Sequence, residues 1–153
     1  MQIIEITNSQ EKADICKKIL HFLPAWFAIE RSNLAYIEGV KSKPMFALKV
    51  DDEVVGFVSL RVHYSTSCEL YVLGLHPEYH GQGYGRKLIE FAEERVKLLG
   101  IQFMSVKTLS ENSPDESYAK TREILFKLGY QPVEEFKTLW DKSSPCLLMI
   151  KAL

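Results

Sequence analysis

The feature that most constrains this chain is a run of three alternating glycines, Gly81, Gly83 and Gly85, between a strand-like and a helix-like segment. The preceding stretch "CELYVLGLHP" has the apolar content of a buried strand and ends at Pro77. The following stretch "RKLIEFAEERVKLLG" places apolar residues at helical spacing and ends at Gly100. The sequence therefore predicts a strand, a flexible turn and a helix in immediate succession.

A strand that passes through glycines into a helix N-terminus is suited to hold an anion. The first turn of a helix exposes unpaired N–H groups at the positive end of its dipole, and glycine lets a ligand approach the backbone closely. Arg86 and Lys87 add positive charge at the same place. The pattern predicts a phosphate site. Its spacing fits neither the GxxxxGK[ST] of a P-loop nor the GxGxxG of a dinucleotide fold.

Apolar periodicity along the rest of the chain predicts helices and strands in mixed order. Helical spacing indicates helices over "SQEKADICKKILHFL", from about residue 27 to residue 40, and over "SPDESYAKTREILFKLGY", where Ser113 and Pro114 are placed as cap and first residue. Strand-like segments include "QIIEIT", "MFALKV", "VVGFVSLRVHY", "FMSVKTL", "PVEEFKTLW" and "PCLLMIKAL". We expect residues 1–153 to form a single domain of the α/β (α+β) class, with a mixed, mostly antiparallel sheet of about seven strands and helices on both faces.

Composition disfavours several classes of partner. A net charge of -1 gives no overall field for nucleic acid or an anionic membrane surface. The longest apolar run, "FLPAWFAI", is too short to span a bilayer, and the N-terminus lacks the features of a signal peptide. The 3 cysteines are far apart and form no CxxC pair, which predicts free thiols in the cytoplasm. His76 and His80 lack further ligands to complete a metal site, so we expect no metal.

The stretch "HPEYHGQGYGRKLIEFAEERV" resembles the acyl-coenzyme A binding motif of the GCN5-related N-acetyltransferases (GNAT), [QR]-x-x-G-x-[GA]. His80 stands at the position usually held by Gln or Arg, and "KLGY" at 127–130 is similar to the family's "K-x-G-F" helix ending. The resemblance covers nearly the full chain and implies the GNAT fold, with acetyl-CoA as cosubstrate. It implies that the diphosphate is held at His80, Gly81, Gln82, Gly83, Tyr84, Gly85 and Arg86, mostly by backbone amides.

The same resemblance assigns a role to the strand before the loop. In the family this strand carries a bulge and splays from its neighbour, and Gly74 is suited to a bulge. The backbone groups of Leu73 and Leu75 are then expected to pair with the pantetheine arm. One amide there would also polarise the thioester carbonyl.

Transfer to an amine requires that a proton be removed. A primary amine with a pKa near 10.4 is mostly ammonium at neutral pH, which costs roughly 4–5 kcal/mol before attack. Glu69 lies at the offset from the glycine loop that the base occupies in the histone-modifying branch of the family, and strand alternation places Glu69, Tyr71 and Leu73 on one face, with Cys68 on the other. A solvated or paired glutamate at a strand end fits the sequence equally well.

The family's usual acid is a tyrosine in the last helix, and this chain has Leu125 at that position. Tyr118 stands where an asparagine usually contacts the cofactor. It is a candidate cofactor ligand, a candidate substitute acid, or an ordinary surface residue. Cys68 is expected to be a packed thiol rather than a nucleophile.

These features predict a cytoplasmic N-acetyltransferase that acts by direct attack of an amine on acetyl-CoA in a ternary complex. The alternative is a non-catalytic acyl-CoA binding or sensing domain, which Leu125 keeps open. A nucleotide-binding regulator is a third class. The acceptor cannot be read from the sequence, although Trp26 and Phe27 are candidates for its wall, with core packing as the favoured role. No nucleic-acid or membrane partner is expected, and a homodimer is left open.

Overall fold

The computed structural model describes residues 1–23, 30–116 and 118–153, with the backbone alone at 30–32. The strands are β1 (Gln2–Ile6), β2 (Met45–Val50), β3 (Glu53–Tyr64), β4 (Ser67–Leu75), β5 (Phe103–Leu109), β6 (Gln131–Asp141) and β7 (Ser144–Ala152). The α-helices are α1 (Ser9–His21), α2 (Glu30–Gly39), α3 (Tyr84–Lys97) and α4 (Ala119–Lys127). Short 3-10 turns cover Val40–Ser42 and Pro77–Tyr79.

The strands form one 7-stranded sheet in the order β1-β2-β3-β4-β5-β7-β6. Every neighbouring pair is antiparallel except β4 and β5, which run parallel. The parallel pair is joined only from Ser67 to Leu70 and from Phe103 to Val106, although both strands continue beyond that point. The predicted mixed, mostly antiparallel sheet is confirmed. Its two central strands, β4 and β5, separate beyond their paired residues.

Helices cover both faces of the sheet, as predicted. Leu88, Ile89 and Ala92 of α3 pack with Leu125 of α4 on one face. Ile15, Cys16 and Ile19 of α1 pack on the other face. Two apolar clusters therefore lie on opposite sides of the strands, and burial of both stabilises the sheet by removing apolar area from water.

One helix boundary differs from the prediction. Helix α4 begins at Ala119 rather than near Ser113. The Ser113 hydroxyl accepts from the N–H of Asp115 and donates to the carbonyl of Ser143, each over 3.2 Å, so it braces a turn against the β6–β7 connection instead of capping a helix. Helix α2 is described from Glu30, and the predicted start at residues 27–29 lies outside the described residues.

The bulge in β4 lies at Tyr71, so its prediction at Gly74 was wrong. Ser59 of β3 pairs with Val72, but the next residue, Leu60, pairs with Leu70, which leaves Tyr71 as the extra residue. An extra residue reverses the alternation of faces beyond it.

The bulge also corrects the predicted grouping of side chains on β4. Tyr71 packs toward α1 and α2, whereas Leu73 packs toward α3 and α4, so these two residues do not share a face. Gly74 has a packing role instead. A Cβ there would lie 2.8 Å from Cγ2 of Ile19 and 3.0 Å from the ring of Phe57, so glycine allows α1 to approach the strand.

A buried carboxylate connects α3 to the C-terminal strand. Glu93 of α3 accepts a hydrogen bond from the Tyr130 hydroxyl over 2.8 Å. The Lys151 ammonium lies 2.9 and 3.1 Å from its two oxygens. Burial and the Glu93 charge raise the pKa of Tyr130, which keeps the phenol protonated as a donor. The carboxylate is therefore fully partnered within the core.

Candidate active site

A cavity of about 280 Å³ opens where β4 and β5 separate. Residues 70–75 of β4 and 106–108 of β5 form two of its walls, and the glycine loop contributes His80, Gly81 and Gly85. Helix α4 contributes Lys120, Thr121, Ile124 and Leu125, and the remaining walls include Tyr36, Tyr118 and Trp140. The sequence-predicted loop, the strand and Tyr118 thus meet at one cavity.

The backbone of β4 presents to this cavity groups that β3 does not pair. The N–H of His76 donates to the carbonyl of Val55 over 2.7 Å, and Gly74 lies opposite Phe57 two residues earlier. Because hydrogen-bonded pairs alternate along an antiparallel ladder, the N–H and C=O groups of Leu73 and Leu75 point away from β3, toward β5. These are the two residues that the sequence predicts as pantetheine partners.

His80 locks the end of this strand to the loop. Its Nε2 lies 2.6 Å from the carbonyl oxygen of Leu75, so the ring donates from Nε2 and occupies that acceptor. The side chain at the position usually held by Gln or Arg therefore braces the loop. At Leu75 the N–H group is left for a ligand.

The glycine loop delivers N–H donors to open space. Gly81 and Gly83 adopt φ values of 73° and 84°, in the left-handed region that glycine tolerates. Helix α3 starts directly after Gly83, which has no side chain to accept from the first-turn N–H groups of Tyr84, Gly85 and Arg86. Among the described residues, no atom outside the adjacent chain lies within 4 Å of a Cβ built at Gly81, Gly83 or Gly85. Uncapped donors beside open space fit a diphosphate.

The other side chains of the loop contact the protein itself. The Gln82 amide donates to the carbonyl of Glu78 over 2.9 Å. The Arg86 guanidinium donates to Glu90 over 3.0 Å, one turn along α3. The ring of Tyr84 packs edge-on against Tyr79. The groups that this loop leaves for a ligand are therefore mainly those of its main chain.

Glu69 lies within a polar cluster that the sequence did not predict. Its side chain is 8% exposed, and Oε1 lies 2.7 Å from Nε2 of His63. The Lys107 ammonium lies 3.4 and 3.3 Å from Oε1 and Oε2. Lys107 lines the cavity, whereas Glu69, which contacts it, does not. The polar residues of "LRVHY" and "SVKTL" were the available signal, but only strand pairing brings them to Glu69.

Tyr118 is the half-buried residue immediately before α4, and it lines the cavity. Burial, Tyr36 and Asp115 raise the pKa of its phenol, so the hydroxyl is protonated at neutral pH. Leu125 is 1% exposed and packs in the core while lining the same cavity. The cavity therefore has a phenol one to two turns before the position at which the family usually has one.

Aromatic rings form the wall on the α1/α2 side. Tyr36 of α2 meets Tyr71 edge-on, with ring centroids 5.4 Å apart. Trp140 of β6 lines the cavity as well. Sequence reasoning missed Tyr36 and Trp140, because their elements come from distant parts of the chain. Trp26 and Phe27, the residues that it proposed for this wall, lie outside the described residues.

The cysteines are buried, in keeping with the packing role predicted for Cys68. Cys68 is 0% exposed, and burial raises the pKa of its thiol to about 11. Burial likewise raises the pKa of Cys16 to about 12 and of Cys146 to about 11. Thiols with such values are almost entirely protonated at neutral pH and are poor nucleophiles.

In the part of the chain that the structure describes, two features are absent. No cluster of three or more His, Cys, Asp or Glu side chains is placed to hold a metal ion. No described helix combines the length and apolar character that crossing a bilayer requires.

A mixed sheet whose parallel strands part beside an uncapped, glycine-rich helix N-terminus is the arrangement that the resemblance to the acyl-CoA-dependent acetyltransferases implies. Residues 13–122 match the family model for the acetyltransferase (GNAT) family, and the chain belongs to that family. The predicted family, fold and acetyltransferase activity are thereby confirmed.

Solved structures share the fold at low sequence identity. A putative GNAT acetyltransferase from Desulfovibrio desulfuricans superposes with a TM-score of 0.82 at 14% identity, covering 99% of this chain and 98% of that chain. The aminoglycoside 6'-N-acetyltransferase from Enterococcus faecium superposes with a TM-score of 0.74 at 20% identity, covering 99% of this chain and 97% of that chain. A putative acetyltransferase from Salmonella typhimurium with its cofactor acetyl-CoA superposes with a TM-score of 0.71 at 18% identity, covering 100% of this chain and 95% of that chain. No curated protein matches the chain.

Proposed function

We propose that this chain transfers the acetyl group of acetyl-CoA to a primary amine of a small molecule or a protein, by direct attack in a ternary complex. The observation that carries the proposal is that the β4 amides that β3 does not pair and the uncapped α3 N-terminus face a single cavity. Structures of the same fold include one complexed with coenzyme A and one with acetyl-CoA. When bound, acetyl-CoA supplies a thioester that is activated toward amines.

Each part of the site has one task in this proposal. The N–H groups of Tyr84, Gly85 and Arg86 hold the diphosphate at the positive end of α3. The N–H groups of Leu73 and Leu75 hold the pantetheine arm, and one of them polarises the thioester carbonyl. Since these donors belong to regular structure, they are oriented before the ligand arrives.

The test of the proposal is release of free thiol from acetyl-CoA in the presence of a panel of amines. Thiol release that depends on an amine, together with acetylated product in the mass spectrum, is the expected result. Binding of acetyl-CoA without release for any amine would instead support the binding or sensing role. Failure to bind coenzyme A in calorimetry would remove both roles.

Glu69 is proposed as the base that accepts the amine proton, directly or through water. Replacing Glu69 by Gln is expected to lower kcat/KM about 100-fold at neutral pH, which is within the usual range for a general base. The loss should shrink as pH rises toward the pKa of the amine, because the free amine then needs no base. The measurement is the pH profile of kcat/KM, with Glu53→Gln, in a surface pair with Lys18, as control. An unchanged rate and profile would assign the proton to bulk water.

Tyr118 is proposed as a hydrogen-bond donor in the cavity. Its raised pKa lies well above the value of about 8.5 for a thiol, so donating a hydrogen bond to the departing thiolate costs less than handing over the proton. If the phenol serves the thiolate, Tyr118→Phe should lower kcat about tenfold with little change in the Kd of coenzyme A. If it holds the cofactor, the Kd should rise instead. No change in either quantity would leave Tyr118 as a wall residue.

A cytoplasmic location is proposed as well. It rests on Cys16, Cys68 and Cys146, which are all free and buried, as expected in a reducing compartment. We also propose that residues 1–153 act as one N-acetyltransferase domain, since one sheet and its two faces of helices build the whole site.

A further inference from the structure

We propose that the acceptor is a small amine that also carries a carboxylate, and that Lys107 is the principal residue selecting it. This inference rests on the proposed acetyl transfer and adds the chemical class of the acceptor. It follows from the charges on the α1/α2 side of the cavity, from their distance to the glycine loop, and from the rings around them.

Basic side chains gather around one carboxylate next to this wall, and of this group Lys107 lines the cavity itself. His63 and Lys107 contact Glu69 directly, and Arg61 lies opposite Glu69 in the β3–β4 pairing. The Lys43 ammonium lies 4.3 Å from the ring centroid of Tyr71. Burial, and after it the nearby charge of Arg61, lowers the pKa of Lys43.

The balance of charge at this wall favours an anionic group. Lys43, Arg61 and Lys107 together carry more positive charge than Glu69 neutralises, even with His63 neutral. The Lys107 contacts to Glu69, at 3.3 and 3.4 Å, are longer than the roughly 2.7–2.9 Å of a close charge-assisted hydrogen bond. Among the described residues that line the cavity none is acidic, whereas Lys107 and Lys120 are basic. A ligand with several positive charges would therefore meet repulsion here.

These cations lie too far from the glycine loop to serve the diphosphate. Leu70 pairs with Val106, so Lys107 is level with Tyr71. From Tyr71 to Leu75 the strand covers four residues, or about 13 Å, and the loop begins only after that. Lys107 is consequently placed at the acceptor end of the cavity.

The remaining walls define the rest of the acceptor. Tyr36, Tyr71, Tyr118 and Trp140 present ring surfaces suited to an apolar or aromatic side chain. Two further groups of the acceptor are charged: its ammonium is attracted by Glu69, and its carboxylate is attracted by Lys107. An amino acid with an apolar side chain has all three groups on one small scaffold.

The experiment compares pairs of ligands that differ only in the carboxylate: phenylalanine with phenethylamine, leucine with 3-methylbutylamine, and methionine with 3-(methylthio)propylamine. Binding is measured by calorimetry with and without saturating coenzyme A, so that no turnover is needed. The amino acid of at least one pair is expected to bind about tenfold or more tightly than its amine. Lys107→Met should abolish that ratio, and Lys107→Arg should keep it.

Lys127→Met serves as the matched control, because Lys127 forms an exposed pair with Glu123 at the far end of α4. It should leave the ratio unchanged. The melting temperature and the Kd of coenzyme A show whether Lys107→Met is folded, and Lys107→Arg carries the test if it is not. Equal binding within every pair, tighter binding of the amines, or no binding of any amino acid at millimolar concentration would overturn the inference. Thiol release from acetyl-CoA with other amines would then still support the proposed transferase.

Discussion

Replacing Gly85 by Ala is expected to stabilise the protein and at the same time weaken its binding of acetyl-CoA by about 10- to 100-fold. Gly85 lies in the first turn of α3 and lines the cavity, and a Cβ built there meets no atom within 4 Å among the described residues. Alanine within a helix is favoured over glycine by about 0.5–1 kcal/mol, so the free protein gains stability. The added methyl group, however, occupies the space where the diphosphate must approach the backbone.

Two measurements separate these effects: the melting temperature of the free protein and the Kd of acetyl-CoA by calorimetry. Gly100→Ala is the matched control, because Gly100 has a φ of 90° and does not line the cavity. There a Cβ strains the backbone, so the control should melt at a lower temperature and bind acetyl-CoA normally. If Gly85→Ala binds acetyl-CoA as tightly as the unmodified protein, the diphosphate is not held at this helix.

The second large effect is expected at the buried carboxylate of α3. Lys151→Met leaves Glu93 in the core with the Tyr130 hydroxyl as its remaining partner among the contacts described above. Removing one member of a buried ion pair typically costs on the order of 3 kcal/mol, because the other charge stays desolvated. For a chain of this length that corresponds to a fall of about 10 °C in melting temperature.

The control for this variant is a pair of similar chemistry at the surface. Lys127→Met breaks the exposed contact with Glu123, and it should cost less than about 1 kcal/mol. The double variant Glu93→Gln, Lys151→Met should recover most of the lost stability, since it removes both charges together. Equal melting temperatures for Lys151→Met and Lys127→Met would show that the buried pair contributes no more than a surface pair.

Local sequence patterns predicted most of the elements that position the site. The strand "FMSVKTL" coincides with β5, because its buried and partly exposed residues alternate as a strand requires. The glycine loop was predicted because strand end, glycines and helix start are adjacent in sequence. The start of α4 was missed because Ser113 binds Ser143, a partner 30 residues away that no local pattern reports.

The bulge and the polar cluster show what sequence alone could not supply. Gly74 is the residue of β4 whose type suits a bulge, but the absence of a side chain there lets Ile19 pack against the strand. The register with β3 places the bulge at Tyr71 instead. Glu69 was identified as a candidate base, whereas its contact with Lys107 spans 38 residues and depends on the sheet order. The kind of role that a residue plays could be inferred from its own segment of the sequence. The residues that it contacts could be inferred only from the pairing of the strands.

The position of β7 has a consequence for synthesis of the chain. All seven residues of β5 pair with β7, from Phe103 with Ala152 to Leu109 with Cys146. A nascent polypeptide from which only β1–β6 have emerged still has one edge of β5 open, because β7 follows these strands in the chain. One wall of the cavity therefore reaches its final form only after β7 has also emerged, and until then the incomplete sheet exposes an unpaired strand edge to other chains.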